Sequence, residues 1–221
     1  MTDRIPLIRR PSSASAARSQ LPRWVTVLIV VCCLVEAALQ LAILAGYPSA
    51  RQAVFMLAGF WSPLIHDGYG LYPGQPLLMF LTYGLLHSGP MHLAMNMISL
   101  AFVARELHRL IGPGMMALIY LASQIAAAAL FAVMQPAAGP MIGASGAVFG
   151  VAGALIGYAA IVGHRRRRPM GQMWRSVGLI LALNVAITVL MPSIAWQAHL
   201  GGAAMGAAIG IGLALAAARR V

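Results

Sequence analysis

Long apolar stretches separated by short polar segments run through most of this chain. The pattern predicts six membrane helices, at residues 24–46, 91–110, 113–133, 145–162, 174–191 and 199–217. Each stretch is close to the roughly 20 residues that a helix needs to cross the hydrocarbon core of a bilayer. Because the chain has 221 residues, these helices and their loops leave no room for a separate soluble domain. We therefore expect an all-α polytopic membrane protein.

The segments outside these helices predict the domain organisation. Residues 1–23 are rich in Ser, Ala, Pro and Arg and predict a disordered cytoplasmic tail, followed by a membrane domain over 24–217 and a short tail over 218–221. An Arg- and Ser-rich start that is poor in acids is also typical of a mitochondrial transit peptide, and this alternative stays open. The loop 47–80 is too apolar for an ordinary solvated loop, and Ala53–Trp61 predicts a short helix lying in the membrane interface.

Composition and charge support this interpretation and add an orientation. The chain is 61% hydrophobic and only 9% charged, whereas soluble domains are about 25% charged. Its net charge of +11 comes from 15 basic residues, all of them arginine. Nucleic-acid or acidic-lipid binding could explain such a balance, but the arginines cluster at the ends of predicted spans. The loops after the first, third and fifth spans carry almost none, with Arg51 as the exception, which predicts that both termini are cytoplasmic.

Two features of the first predicted span invite a functional interpretation. Glu36 is an ionisable residue inside the membrane and therefore a candidate functional residue. No partner for it can be identified in the sequence, so we interpret it as protonated or hydrogen-bonded to a neighbouring helix. The adjacent Cys32 and Cys33 are too few for a disulfide framework and lack metal-ligand spacing. We expect them to be reduced packing residues, and the sequence predicts neither a metal nor a cofactor.

The strongest candidate for chemistry is Gly143-Ala144-Ser145-Gly146, where a short loop enters an apolar helix. A serine hydroxyl is a poor nucleophile unless a base removes its proton. His199, at the start of the sixth predicted span, lies at the same predicted depth as Ser145 and is the candidate base. Of the chain's four acidic residues, only Asp67 is a remote candidate for a third member, so the sequence predicts a Ser/His dyad.

Donors for a developing oxyanion can be found close to Ser145. The serine opens a helix, so its own backbone N–H lacks a partner within the helix. His92 and Asn96 are four residues apart and share one face of the second span, at the same side of the membrane. Their side chains could donate to the oxyanion, although hydrogen bonding between helices is the simpler explanation of such a pair. Gly143 would allow the backbone strained angles and a close approach to a substrate.

Small residues around Ser145 offer a purely structural alternative. They are typical of membrane helices that pack closely, and the sixth span carries a similar row at Gly202, Gly206 and Gly210. Considered without the nearby polar residues, Ser145 would be interpreted as a packing residue. Polar side chains gathered at one depth favour a catalytic role, and the two roles are compatible, because close packing of the fourth and sixth spans would let Ser145 meet His199.

These residues resemble the motifs of the rhomboid family of intramembrane serine proteases. The matching segments are Gly143–Gly146 (family motif G-x-S-G), His92-x-x-x-Asn96, and Ala198-His199-x-x-Gly202-x-x-x-Gly206. The resemblance implies a six-transmembrane-helix rhomboid-like bundle over residues 24–217, with both termini in the cytoplasm. It also implies that Ser145 is the nucleophile, that His199 is the general base and acid, and that Asn96 and His92 help to form the oxyanion hole.

Further positions match the family less completely. Phe149 corresponds to a family aromatic residue, usually tyrosine, which would stack on the His199 ring. His87 corresponds to a family histidine before the second helix, which we interpret as structural and able to hold waters. Many rhomboids carry a Trp-Arg pair in the first loop, but residues 74–80 contain neither residue. This departure puts the anchoring of the loop in doubt. By the same resemblance, the fifth span and loop 192–198 would form a mobile substrate entry and cap.

The resemblance also implies a substrate class. Substrates would be single transmembrane helices of other proteins, cut in or near the outer part of the membrane after a small residue. Membrane lipid is the other expected partner, and nucleic acid is not expected. We expect a bacterial inner membrane location. An inactive client-binding relative is one alternative, and a small transporter is another, although no internal repeat or polar helix lining is visible. The sequence leaves the oligomeric state open.

Overall fold

A computed structural model describes residues 21–175, 178–179 and 194–217 of the chain. Outside its helices, an isolated antiparallel bridge pairs Phe60 with Met141. A short 3₁₀ helix covers Tyr83–Leu85, and the α-helices with both ends in the described ranges are, in chain order, α1 (Arg23–Leu44), α2 (Ala50–Ala58), α3 (Pro63–Asp67), α4 (Gln75–Thr82), α5 (Pro90–Ile111), α6 (Pro113–Met134), α7 (Ser145–Arg165) and α8 (Trp196–Ala217).

Four of these helices, α1, α6, α7 and α8, are long and apolar enough to cross a membrane. Helix α5 is as long, with 22 residues, but its polar residues and its charged last turn make it less apolar than these four. The predicted membrane helices therefore agree with observed helices, within a few residues at each end, for five of the six. The fifth predicted span, 174–191, lies mainly outside the described residues, as do the predicted tails 1–23 and 218–221.

The long loop after α1 is more regular than expected. The predicted helix over Ala53–Trp61 is wrong in its bounds, because α2 begins at Ala50 and ends at Ala58. Two more helices, α3 and α4, follow it. Glycines in left-handed conformation separate them: Gly68 (φ +73°) ends α3 and Gly74 (φ +86°) precedes α4, a conformation that glycine adopts without steric cost.

Polar side chains of α4 anchor this loop. Gln75 is completely buried; its Oε1 accepts a hydrogen bond from the Leu71 N–H at 2.7 Å, and its Nε2 donates to the Met56 carbonyl at 2.8 Å. The hydroxyl of Thr82 donates to the Ala58 carbonyl at 2.7 Å. These bonds supply partners to backbone groups that no hydrogen bond within a helix satisfies. These hydrogen bonds anchor the loop, although residues 74–80 lack the Trp-Arg pair of many rhomboids.

Glu36 has a charged partner, contrary to the expectation from sequence. Its carboxylate forms a bidentate ion pair with Arg51 of α2, at 2.9 Å and 2.7 Å, and Gln40 one turn further along α1 donates to it at 2.9 Å. The Glu36 side chain is 5% exposed and that of Arg51 17% exposed. The ion pair raises the pKa of Arg51 above its ordinary value, so the guanidinium stays charged. Ionisable groups inside membranes characteristically face the protein and pair in this way.

Helix α7 lies at the centre of the bundle and packs against α5, α6 and α8. Its contact with α8 is made by small residues. A methyl group added to Gly202, Gly206 or Gly210 of α8 would collide with the backbone of Gly146, Gly150 or Ala154 of α7, respectively. The two backbones therefore meet directly, as small-residue rows allow in membrane proteins, and the predicted close packing of these two helices is present.

This packing predicts a difference between two glycines of α8. We expect Gly206→Ala to destabilise the protein by about 1–3 kcal/mol, the usual cost of overpacking, because the new methyl group meets the Gly150 carbonyl. Gly212→Ala is the matched control, since nothing lies within 4 Å of its added methyl group, and it should be neutral or stabilising. Thermal unfolding in detergent measures both, and equal effects would contradict the packing argument.

Candidate active site

Ser145 and His199 meet at the same end of the α7–α8 contact. Ser145 is the first residue of α7, and His199 lies in the first turn of α8. The Oγ of Ser145 and the Nε2 of His199 are 2.8 Å apart, which is hydrogen-bonding distance. Both side chains are partly exposed. The structure therefore brings together the two residues that the sequence predicts as a dyad, in the geometry that a serine and its base require.

Phe149 holds the ring of His199 from one side. It lies one turn after Ser145 on α7, and its ring stacks on the imidazole with a centroid distance of 4.4 Å and an angle of 16°. The predicted stacking is thus present. Because phenylalanine has no hydroxyl, the contact is purely a stacking contact and offers no hydrogen bond to the imidazole.

Backbone hydrogen bonds join the loop before Ser145 to the chain between α1 and α5. Met141 and Phe60 exchange two of them, at 2.8 Å and 2.9 Å, and the N–H of Gly143 donates to the Tyr83 carbonyl at 2.9 Å. Gly143 has a φ of +115°, a conformation that other residues rarely adopt. The chain therefore enters α7 at a fixed angle, and the Ser145 N–H, at the first position of the helix, has no acceptor within α7.

The ring of His92 lies against Gly143. A Cβ added to Gly143 would be 2.9 Å from Cε1 and 3.1 Å from Nε2 of His92, and 3.8 Å from the Ser145 Oγ. The other nitrogen, Nδ1, is 3.2 Å from the backbone N–H of Ser88, which donates to it, and 3.1 Å from the Ser88 hydroxyl. Since a backbone N–H can only donate, Nδ1 is the acceptor, and in a neutral imidazole Nε2 then carries the proton. The protonated edge of the ring faces the Ser145 loop.

Asn96 is buried one turn below His92, with an exposed fraction of 6%. Its amide nitrogen donates to the His92 backbone carbonyl at 2.9 Å. An amide nitrogen carries two hydrogens, so this bond uses one of them and leaves the other for a further acceptor. The structure therefore places Asn96 on the same face as His92, as predicted, with its amide tied to its own helix.

His87 lies behind His92. It is 1% exposed, and its ring meets the His92 ring edge to face, with a centroid distance of 5.2 Å. Burial lowers the pKa of His87 to about 4, so the ring is neutral at neutral pH. Neither ring nitrogen makes a hydrogen bond of good geometry with the described residues. Buried polar atoms of this kind are normally satisfied by ordered water, and the water-holding role of His87 stays a prediction.

Sequence reasoning missed two residues that contribute to this arrangement, Ser88 and Tyr83. Ser88 sets the tautomer of His92, Tyr83 holds Gly143 through its carbonyl, and its hydroxyl donates to the Gln124 carbonyl at 2.8 Å. These contributions are mostly made by backbone atoms, which leave no signal in residue types. Asp67, the remote candidate for a third catalytic member, is exposed at the end of α3.

Comparison with protein-family models gives a match. The family model described as "Rhomboid domain" matches residues 74–216, which is more than half of the chain. The matched segment includes α5, α6 and α7 and nearly all of α8, and thus every helix that carries a residue of the candidate site. No curated protein matches the chain significantly.

The position of Gly143 predicts a specific defect. We expect Gly143→Ala to displace the His92 ring as well as to strain the backbone, at a cost of about 1–3 kcal/mol, because its methyl group would meet Cε1 and Nε2 of that ring. Gly112→Ala is the control: its φ is +82°, but nothing lies within 4 Å of the added methyl group. Thermal unfolding should report a loss for both variants, whereas the NMR signals of His92 should change only in Gly143→Ala. Unchanged His92 signals in both variants would refute the contact.

Proposed function

The chain belongs to the rhomboid family, and we propose that it is an intramembrane serine endopeptidase. The family includes members without activity, so membership alone does not decide the function. The observation that carries the proposal is the 2.8 Å contact between the Ser145 Oγ and the His199 Nε2. A merely structural serine at a small-residue contact would need no histidine at this distance, nor an aromatic ring stacked on that histidine.

In the proposed reaction, the Ser145 Oγ attacks the carbonyl carbon of a peptide bond while His199 Nε2 takes the hydroxyl proton. His199 then gives this proton to the leaving amine, and the new N-terminus departs. A water molecule attacks the acyl-enzyme ester in the same way, with His199 again as base, which releases the new C-terminus and restores Ser145. Two groups perform both half-reactions, since the imidazole alternates between base and acid.

Three donors would stabilise the negative oxygen of each tetrahedral intermediate. The backbone N–H of Ser145 is one, favoured by the positive end of the α7 dipole. The Nε2–H of His92 and the second amide hydrogen of Asn96 are the others. Donors that are fixed before the reaction stabilise the developing charge without having to reorganise, and the contacts of Ser88 and Asn96 with His92 support such preorganisation.

We further propose six membrane helices with both termini in the cytoplasm, the fifth helix covering about 174–191. The arginine run after α7 (residues 165–168) supports this orientation. Ser145 and His199 would then lie on the non-cytoplasmic side, in a bacterial inner membrane. The helical fold and the apolar helices support an integral membrane protein. The proposed location in a bacterial inner membrane rests on the small size of the membrane domain and on its arginine pattern.

The proposed substrates are single-span membrane proteins, cut in or near the outer part of their helix. A helix hides its carbonyl groups in hydrogen bonds, so attack requires a segment loosened by Gly, Pro or polar residues. Water must also reach the site, which is possible where polar groups line a cavity at membrane depth. The position of the dyad at the first turns of α7 and α8 suits such a site.

The proposal predicts the effect of removing each member of the dyad. In liposomes holding a single-span substrate with small, helix-weak residues at its outer end, we expect Ser145→Ala and His199→Ala each to reduce cleavage by a factor of 10³ or more, the order seen on removing a triad member. Electrophoresis of the substrate fragments measures the loss. A serine-reactive fluorophosphonate should label the wild type but not Ser145→Ala.

Thr26→Ala is the matched control, since it removes an exposed hydroxyl from α1, a helix that carries no residue of the proposed dyad or oxyanion hole, and it should leave cleavage unchanged. Equal cleavage by the wild type and Ser145→Ala would show that another nucleophile acts and would refute the dyad. If no variant cleaves and the probe does not label the wild type, while the substrate still co-purifies, the protein is a client-binding member of the family instead.

Stacking on the imidazole predicts a smaller effect for Phe149. We expect Phe149→Ala to slow cleavage about two- to tenfold, which corresponds to the energy of one aromatic pair, because the His199 ring loses its support. Phe149→Tyr should retain the rate, since it keeps the stacked ring. Phe102→Ala, which removes an exposed phenylalanine of α5, controls for general changes in the bilayer. A rate unaffected by Phe149→Ala would remove Phe149 from the site.

A further inference from the structure

The ion pair between Glu36 and Arg51 reaches the candidate site through one peptide group. Besides its two bonds to Glu36, the Arg51 guanidinium donates from Nη1 to the backbone carbonyl of His87 at 2.7 Å. That carbonyl belongs to the peptide group that joins His87 to Ser88. The N–H of the same peptide group donates to Nδ1 of His92. In a planar trans peptide the C=O and N–H point in opposite directions, so Arg51 lies on one side of this group and His92 on the other.

We propose that Arg51, held by Glu36, is a positioning residue that fixes the peptide group between His87 and Ser88 and thereby orients His92, with its Nε2–H towards the reacting carbonyl. The proposal rests on the proposed function in one respect, namely that His92 donates to the oxyanion. It assigns a role to the only arginine of the first loop and to the only carboxylate of α1, neither of which the dyad uses.

The geometry of the ion pair is suited to this task. The carboxylate of Glu36 accepts from both terminal nitrogens of Arg51 and from Gln40, so the guanidinium cannot rotate without breaking several bonds. A bidentate pair of this kind adds directional precision to its energy. Glu36 itself lies about 12 Å before the end of α1, at 1.5 Å per residue. The guanidinium is therefore held against a rigid membrane helix rather than against the loop alone.

Polarisation along the chain of hydrogen bonds strengthens the effect. A charged donor on the carbonyl of a peptide group makes its N–H a better donor, because successive hydrogen bonds polarise one another in a low dielectric. The hydrogen bond from the Ser88 N–H makes Nδ1 of His92 an acceptor, so that Nε2 carries the proton. If Arg51 is lost, the 87–88 peptide group is free to rotate, and Nδ1 can then carry the proton. In that tautomer Nε2 is an acceptor and cannot stabilise an oxyanion.

A simple brace between α1 and α2 is the alternative role of the same ion pair. It would explain the contacts between Glu36 and Arg51 but not the third bond, to the His87 carbonyl. The two roles differ in what they predict for His92. A brace affects stability and substrate handling in general, whereas a positioning residue acts only while His92 is present and changes the tautomer of its ring.

The first test is spectroscopic and needs no substrate. ¹⁵N-histidine-labelled protein in lipid nanodiscs gives separate signals for protonated and unprotonated ring nitrogens, and His92→Asn assigns those of His92. We expect the wild type and Arg51→Lys, which keeps a charged donor beside Glu36, to show mainly the Nε2–H tautomer. Glu36→Gln/Arg51→Met, which removes the donor without leaving a buried charge unpaired, should show a mixture of tautomers. The same tautomer in all three proteins would overturn the proposal.

The second test is a double-mutant cycle on cleavage. We expect Glu36→Gln/Arg51→Met to lower kcat about tenfold with KM nearly unchanged, less than the 10²–10³-fold cost of deleting an oxyanion donor outright. In the His92→Ala background the same change should have almost no effect, because residues that act as one unit are not additive. An equal loss in both backgrounds would show a general packing role and refute positioning.

Two further variants control these measurements. Arg51→Lys keeps the charge and can still donate to the carbonyl, so it should restore part of the lost rate. Arg109→Met removes one partner of an exposed ion pair with Glu106 at the other end of α5, where the atoms are 3.1 Å apart, and it should change neither the tautomer nor kcat. If the wild type cleaves no substrate, the proposed function fails while the NMR signals still decide whether Arg51 orients His92.

Discussion

The distance between Ser145 and His199 depends on how closely two helix backbones can approach each other. Packed helices usually keep their axes 8–10 Å apart, according to the side chains between them. Glycines of α8 lie directly against backbone atoms of α7 over several turns, so almost nothing separates these two helices. In lipid no hydrophobic driving force brings helices together, and close van der Waals contact takes its place. The serine and the histidine meet because the helices that carry them do.

A second constraint acts on the irregular chain around the site. Backbone groups at membrane depth must be satisfied within the protein or by a water-lined cavity. Several polar side chains serve this purpose here: Gln75 bonds to two segments of the chain between α1 and α5, Gln124 donates to the carbonyls of Phe80 and Leu81, and Arg51 donates to that of His87. The chain between α1 and α5 is therefore held by side-chain hydrogen bonds as well as by its own backbone.

The sequence predicted most of the long helices and the meeting of Ser145 with His199, but not what surrounds them. Long apolar runs identify α1, α6, α7 and α8 directly, and Ser145 and His199 belong to motifs with recognisable spacing. The three helices between α1 and α5 are short and punctuated by Gly and Pro, so their bounds depend on tertiary hydrogen bonds that no periodicity encodes. Ser88 acts through its backbone N–H, which every residue but proline possesses, and no residue pattern could have predicted that role.

The pairing of Glu36 with Arg51 could have been inferred, because each was an exception in its own context. Glu36 was an acid inside an apolar span, and Arg51 was a base in a loop that otherwise lacked arginine. Two opposite charges that are each out of place, in neighbouring elements, are best explained by each other. Removing one partner would leave a buried charge uncompensated, at a cost of about 3–5 kcal/mol. The two residues can therefore be lost together far more easily than singly, which is also why their effect on His92 has to be measured in a variant that changes both.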